Sequence, residues 1–366
     1  MTQRNSPMDL GEAVPWFTSS TPSRERFTFD TVAGRYIALC FLGSSSDPTA
    51  ARVLTDLLAR RDEFNDDRAS FFGVIADPRD RDQQRVRDLL PGIRFFWDID
   101  RSICNLYGVQ RENGAIRQMT YLLDTRLRVL AALPIPPGGQ GHVDALLALL
   151  NAQEPIPPST SALPQAPVLV VPRIFEPALC HALMDYYDLR GGSDSGYMVE
   201  RDGKTVEVLK HEHKRRRDCA LDDEHLRQCC MQRITTRLVP EIQKAFQFQA
   251  TRMERYLVAC YDAEEGGHFR PHRDNTTKGT AHRRFAVSLF LNSGEYEGGC
   301  LRFPEFGGSL YSAPTGGAVV FSCSLLHEAT PITAGRRYMF LPFLYNEEGR
   351  RIREENQQYL EPTAEQ

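Results

Sequence analysis

The chain has 366 residues, of which 41% are apolar and 25% charged, with a formal net charge of -4. That length suits two domains rather than one core, the composition excludes wholesale disorder, and the acidic balance argues against a dedicated nucleic-acid binder, whose phosphate contacts call for a basic surplus. The nine cysteines form no C-x-x-C pair, so neither a disulfide framework nor a zinc finger is indicated, and a reducing, cytoplasmic setting fits them.

The opening "MTQRNSPMDLGEAVPWF" lacks the apolar core of a signal peptide. No later stretch approaches the roughly 18 apolar residues of a membrane span, so the expectation is a soluble, internal protein. Short apolar runs then alternate with helical patterns: "YIALCFL" (36–42), "PTAARVLTDLLARRDEF", "ASFFGVIAD", "DQQRVRDLL" and "MTYLLDTRLRVLAAL", with "GHVDALLALLNAQ" as a closing helix. Such alternation predicts an α/β domain with a partly parallel central sheet over residues 1–152. Residues 153–167, "QEPIPPSTSALPQAP", hold five prolines in 15 positions. That composition is stiff and extended and reads as a linker to a second domain, 168–366.

In the second domain the period changes. Leu179, Leu183 and Tyr187 fall at helical spacing within 176–190, and a further helix is predicted over "DEHLRQCCMQRITTRLVPEIQKAF". From Met253 onward the runs "YLVACY", "FAVSLFLN", "CLRF", "GAVVFS" and "RYMFLPFLY" are separated by glycine-rich turns, the pattern of an antiparallel sandwich or jelly roll. The segment "RGGSDSGYMVERDGKTVEV" (190–208) reads as a mobile loop. "KHEHKRRRD" (210–218) reads as a solvated strand or loop, against the alternative of holding an acidic or peptidic substrate.

Within "HFRPHRDN", a strand would present the imidazole of His272 and the carboxylate of Asp274 to one side. His327, after the run "GAVVFS", adds a second imidazole if a jelly roll brings the strand ends together. Two histidines and one carboxylate on one side of a metal, with other positions open, is the arrangement of non-haem Fe(II) oxygenases. A 2-oxo acid can chelate through two open positions and dioxygen can take the last. If that acid is 2-oxoglutarate, its far carboxylate needs a cation, and a planar guanidinium suits it. Arg336 and Arg337 open the strand that follows, and only one of the two can face inward. His268 and His282 bracket the motif and read as loop or rim residues.

Residues 168–346 resemble the 2-oxoglutarate and Fe(II)-dependent oxygenase superfamily, specifically its prolyl 4-hydroxylase-like branch. The resemblance lies in "FEPALCHALMDYY", "YDAEEGGHFRPHRDN", "RRFAVSLFLN" continuing to "EYEGGCLRF", and "HEATPITAGRRYMF". It implies a double-stranded β-helix (jelly roll) with flanking helices, and iron bound by His272, Asp274 and His327. It further implies that Arg337 holds the distal carboxylate of 2-oxoglutarate and that Tyr261 lines the cosubstrate pocket. Relatives often carry a tyrosine where this chain has Phe290, and Ser288, two residues earlier on the same strand face, is the expected substitute. The implied reaction is hydroxylation of an unactivated C–H bond, of a prolyl residue in a peptide or protein, consuming dioxygen, releasing succinate and CO2 and using ascorbate as reductant. The alternatives are a tailoring oxygenase acting on a free amino acid or small metabolite, and a non-catalytic scaffold. Phe343 stands where demethylases of nucleic acids carry a further arginine, which disfavours that activity, and no membrane partner is expected.

Residues 11–133 resemble the thioredoxin-fold peroxiredoxin family in "GEAVPWF", "YIALCFL", "FFGVIAD", "WDIDRSICNLYGV" and "TYLLDTRLRV". Peroxiredoxins need a thiolate at the start of the helix after the first core strand, where the helix dipole lowers the thiol pKa. Here that segment is "GSSSDPTAARV", without cysteine; Cys40 lies inside the strand and Cys104 away from the matching position. A thioredoxin-like domain without peroxidase activity is the expectation.

Overall fold

The computed structural model describes residues 4, 6–159 and 165–360, and the chain divides into two compact units, Met1–Thr160 and Ser161–Gln366. Residues 160–164 of the proline-rich segment lie outside the described residues.

The first unit is built on a seven-stranded sheet ordered Arg24–Thr28, Thr18–Thr21, Ile93–Trp97, Ala69–Ile75, Tyr36–Gly43, Met119–Leu123, Val129–Pro134. The three strands at its centre run parallel and the others antiparallel. Residues Tyr36 to Leu42 are all buried because both faces of that strand are covered, which is why it reads as an unbroken apolar run. Ile37, Leu39 and Phe41 enter the core on one side, Ala38, Cys40 and Leu42 the core on the other. Helix Pro48–Ala59 starts where the Asp47 carboxylate accepts the N–H groups of Thr49 and Ala50, with Pro48 preset for the first turn. "DQQRVRDLL" is not a helix. The helix there is Pro78–Asp82, capped from Asp77, and the chain leaves it through Gln84 at φ 49°. Asp88, inside the predicted helix, accepts from Ser23 and from the N–H of Phe95, which anchors the stretch to the sheet edge.

The second unit is a jelly roll of two antiparallel sheets. The larger, nine-stranded sheet runs Arg252–Glu254, Phe343–Tyr345, Phe285–Phe290, Arg336–Phe340, Leu257–Asp262, Arg217–Ala220, Ser193–Asp194; Ala318–Ser322 pairs with Phe285–Phe290, and Leu169–Val171 with Ala318–Ser322. The smaller runs Lys214–Arg215, His268–His272, His327–Ala329, Leu301–Arg302, Leu310–Tyr311. Strand alternation sorts the two sides of the larger sheet. Val287 and Leu289 join the core under helices Pro177–Arg190, Glu224–Arg233 and Val239–Phe246, while Ala286 and Phe290 face the smaller sheet, meeting Phe269, Leu301 and Ala329. The predicted mobile loop is instead largely a hairpin, Tyr197–Arg201 with Lys204–Val208, turned at Asp202 (φ 52°) and Gly203 (φ 74°). Both central residues are left-handed, as a two-residue Asp-Gly hairpin turn requires. Among the described residues no helix is long and apolar enough to cross a membrane.

Candidate active site

His272 is the last residue of strand His268–His272 and lies in register with His327, the first residue of the neighbouring strand. Register alone therefore brings together two imidazoles that are 55 residues apart in sequence, with ring centres 4.3 Å apart. Asp274 is not on the strand. The strand has ended, and the turn is fixed by the Asp274 N–H donating to the Cys323 carbonyl at 3.0 Å. That turn, rather than strand alternation, delivers the carboxylate: Oδ1 lies 3.6 Å from His272 Nε2 and Oδ2 lies 3.3 Å from His327 Nε2. One ligating atom from each of the three residues lies within 4.8 Å of the others.

Both imidazoles are oriented from behind. Nδ1–H of His272 donates to the Arg270 carbonyl at 2.8 Å, and Nδ1–H of His327 to the Leu325 carbonyl at 3.0 Å. Those bonds select the tautomer whose Nε2 lone pair points at the cluster centre, the role a carbonyl plays behind a metal-bound histidine. Phe269 stacks on His272 at 3.4 Å between ring centres, and Phe321 lies 4.5 Å from His327. Burial, and next the neighbouring His272, push the His327 imidazole down to about 4. Burial alone would raise the Asp274 carboxyl, but His327 and His272 beside it hold it well below the usual carboxylate range. The donor set is thus a neutral imidazole at His327, a second imidazole and an ionised carboxylate on one side of a common point, which can hold a six-coordinate divalent ion with positions to spare.

Strand alternation decides between the paired arginines. Arg336 faces out and donates to Asp262 at 2.7 Å; Arg337 faces in, 1% exposed, in register with Tyr261. The Arg337 guanidinium lies 5.1 Å from the Tyr261 ring centre and 5.0 Å from that of Phe290. It has no carboxylate partner among the described residues, and its Nε has no hydrogen bond. Gly299, at φ 62°, leaves room for it, since a Cβ there would sit 2.9 Å from Arg337 Cδ. A buried cation without a counter-ion is costly, and an anionic ligand is the fitting remedy. Ser288 lies on the inner face of its strand and, with Tyr261 and the three clustered residues, lines a small cavity of about 60 Å³. Phe290 is fully buried beside Arg337.

Two readings need correction. His282 is no rim residue: it is 2% exposed, with Nε2 2.9 Å from Glu254 Oε2, and Glu254 also takes Arg283 at 2.7 Å. That ion-pair network draws it inward. His268 does sit at the edge, bonded to the carbonyls of Gly266 and Glu212, although it begins a strand rather than lying in a loop. "KHEHKRRRD" is only half solvated. Lys214, Arg216 and Asp218 turn inward while Arg215 and Arg217 are more exposed. Lys214 and Asp218 border a 660 Å³ cleft beside His272 and Asp274, together with Arg255 and Arg283. Five charged residues in a row, 214–218, give no sequence signal for that inward face; strand alternation in the fold decides it.

Residues 256–345, which include all six residues singled out for the site, match the family model of the 2OG-Fe(II) oxygenase superfamily. The C-terminal domain is that of a 2-oxoglutarate-dependent dioxygenase. The family implies Fe(II) and 2-oxoglutarate, and the donor cluster and the unpaired Arg337 of this dioxygenase fit both. Residues 10–132 match the AhpC/TSA family model. Within that span the only cysteines are Cys40 and Cys104, both buried; burial pushes the Cys40 thiol up to about 12 and Cys104 higher still. The dioxygenase thus carries a peroxiredoxin-like domain without an accessible thiol. No curated protein matches the chain. Among solved structures, a prolyl hydroxylase from Trichoplax adhaerens in complex with a hypoxia inducible factor peptide fragment is 16% identical with TM-score 0.40, covering 50% of this chain and 86% of that one. A Pseudomonas putida prolyl-4-hydroxylase is 18% identical with TM-score 0.39, covering 50% and 93%. Mycobacterium tuberculosis AhpC is 19% identical with TM-score 0.35, covering 40% and 93%.

Proposed function

We propose that the dioxygenase hydroxylates an unactivated C–H bond of a prolyl residue in a peptide or protein, with His272, Asp274 and His327 holding ferrous iron and Arg337 holding the distal carboxylate of 2-oxoglutarate. The observation that carries this is the pairing of an open N,N,O cluster with a buried guanidinium that no carboxylate of the described residues neutralises. When bound, iron and 2-oxoglutarate supply the oxidising power for C–H cleavage from dioxygen, with succinate and CO2 as coproducts and ascorbate as auxiliary reductant.

The chain's own contribution is placement. Arg337, stiffened between two rings, fixes one end of the cosubstrate, with the Ser288 hydroxyl as its neutral partner in place of a tyrosine at Phe290. The Arg270 and Leu325 carbonyls keep both imidazoles aimed without adjustment on binding. Phe269 and Phe321 exclude water from one side, so charge–charge contacts there act in a low dielectric. The 660 Å³ cleft gives a substrate access to the open side and is within the range of ligand-binding sites. The resemblance of the His-x-Asp segment and its neighbouring strands to prolyl 4-hydroxylases is what favours a prolyl substrate. All nine cysteines are unpaired, which suits the reducing cytoplasm, a compartment that also keeps iron ferrous.

The test is anaerobic. Fe(II) and 2-oxoglutarate added to metal-free protein should produce a visible metal-to-ligand charge-transfer band that Asp274→Ala abolishes. Prolyl peptides should then release succinate and gain one oxygen by mass. A folded, iron-loaded protein without the band would overturn the assignment; a band with turnover of free amino acids alone would overturn the peptide substrate.

A further inference from the structure

Three cations, Lys214, Arg216 and Arg255, gather around the carboxylate of Asp218 at one side of the cleft, whose lining also includes Asp194, Glu200, Glu207 and Asp274. Arg216 donates through Nε and Nη2 to the two oxygens of Asp218, at 2.6 Å each, and Arg255 Nη2 donates to Asp218 Oδ2 at 2.9 Å. One carboxylate thus faces two guanidiniums that cannot deprotonate. Lys214 adds a third cation, 4% exposed, lying 5.0 Å from the Phe269 ring centre. It donates to Ser195 Oγ at 2.7 Å and to the Gly196 carbonyl, which leaves one of its three N–H groups without a partner among the described residues. Arg255 is likewise bonded through Nη2 alone, so its Nε and Nη1 have no partner among those residues. Of the other acids that line the cleft, Asp274 belongs to the clustered residues, Asp194 lies 3.4 Å from the His211 imidazole, and Glu200 and Glu207, exposed on the hairpin, are engaged by the N–H groups of Lys278 and Gly196.

We propose that Lys214 and Arg255 form a receptor for a carboxylate of the substrate, the feature that selects which substrates enter this cleft. The proposal rests on the oxygenase reading and names its substrate class: molecules bearing a carboxylate close to the oxidised residue. Two N–H-bearing cations with free donors, converging on one cavity, match the acceptor geometry of a carboxylate. Burial, then the neighbouring Arg216 and Arg255, push the Lys214 ammonium well below its usual range, the strain that an added anion relieves. The position of Lys214, on the large cleft alone, favours substrate over cosubstrate as the occupant of the receptor. Lys214 and Asp218 line the large cleft, whereas Tyr261 and Ser288 line the small cavity; Arg255 and Asp274 line both, so a bound carboxylate sits next to the reaction centre. Two sources share this chemistry: the α-carboxylate of a C-terminal or free prolyl residue, and the side-chain carboxylate of an adjacent Asp or Glu.

The experiment uses the full chain loaded anaerobically with Fe(II) and 2-oxoglutarate, and reads binding from perturbation of the charge-transfer band and by calorimetry. The probes are acetyl-Gly-Pro as free acid and as carboxamide, and acetyl-Ala-Pro-Glu-amide against acetyl-Ala-Pro-Gln-amide. One of the two acids should bind about 10- to 100-fold more tightly than its neutral twin, the span expected of a charge-assisted pair. Which pair discriminates identifies the source of the carboxylate. In Arg255→Gln the acid should bind no better than its twin, and in Lys214→Met the preference should shrink, while 2-oxoglutarate still gives the band. Equal binding of acids and neutral twins in wild-type protein that forms the band overturns the receptor, and needs no variant to fold. Loss of the band in Arg255→Gln would give the cation to the cosubstrate and also overturn it. A wild-type protein without any band fails the oxygenase reading instead, and the receptor with it.

Discussion

Arg337→Met separates a ligand-binding arginine from a structural one. The guanidinium is 1% exposed, held between the Tyr261 and Phe290 rings and without a carboxylate partner among the described residues. Ring contacts of this kind return about 0.5–2 kcal/mol each, whereas desolvating an unpaired charge costs several kcal/mol. Methionine fills most of the space and removes the charge, so the melting temperature of the apoprotein should not fall. Ligand stabilisation should behave in the opposite way. At 100 times its Kd, 2-oxoglutarate stabilises the wild-type domain by about 2.7 kcal/mol, which is about 5–11 °C at roughly 2–4 °C per kcal/mol. Removing one member of a buried charged pair costs about 2–5 kcal/mol, so at that same concentration the variant should shift by roughly 3 °C or less. Differential scanning fluorimetry with Mn(II) in place of Fe(II) reads both effects without turnover. An apoprotein that loses more than about 10 °C, or a variant that keeps the full 2-oxoglutarate shift, would refute the reasoning.

Ser288→Ala should raise the 2-oxoglutarate Kd by about 3- to 10-fold, the value of one neutral hydrogen bond; an unchanged Kd by calorimetry would remove Ser288 from the cosubstrate site. Burial would raise the Glu254 carboxyl, but His282 and Arg283 hold it at about 2, below its unfolded value of 4.5. A depressed carboxyl contributes stability above its unfolded pKa and loses it as pH falls through the folded one, so the unfolding free energy should fall between pH 5 and about 2 by on the order of 3 kcal/mol, and the melting temperature with it. Glu254→Gln should flatten that drop in a circular-dichroism titration. The peroxiredoxin-like domain should leave hydrogen peroxide unconsumed in a colorimetric assay, and native protein should label with a thiol reagent only at Cys229 and Cys300, the two partly exposed cysteines. Rapid labelling of Cys40 or Cys104 would contradict their burial.

The local sequence determined much of this protein. Unbroken and alternating apolar runs located most strands because burial on one face or two writes itself into neighbouring residues, and the change of period near Met253 marked the later jelly-roll strands, although Leu169–Val171, Ser193–Asp194, Lys214–Arg215 and Arg217–Ala220 precede it. The parity of Arg336 and Arg337 limited the inward cation to one of two. Other features depended on partners distant in sequence. Asp262, on the paired strand, takes Arg336 outward and leaves Arg337 facing Tyr261. Asp274 reaches His327 through a turn fixed by the Cys323 carbonyl, which no pattern around residue 274 encodes. His282 is buried because Glu254 waits for it, and "DQQRVRDLL" stays out of a helix because Asp88 is held by Ser23 and the N–H of Phe95. The Asp202–Gly203 turn was a legible signal that composition alone obscured, whereas the inward turn of Lys214, Arg216 and Asp218 was hidden in an unbroken charged run. What only the tertiary structure decided was the set of charges sharing one enclosed space, because desolvation and pairing are fixed by contacts between strands, and sequence period reports only the face on which each residue lies.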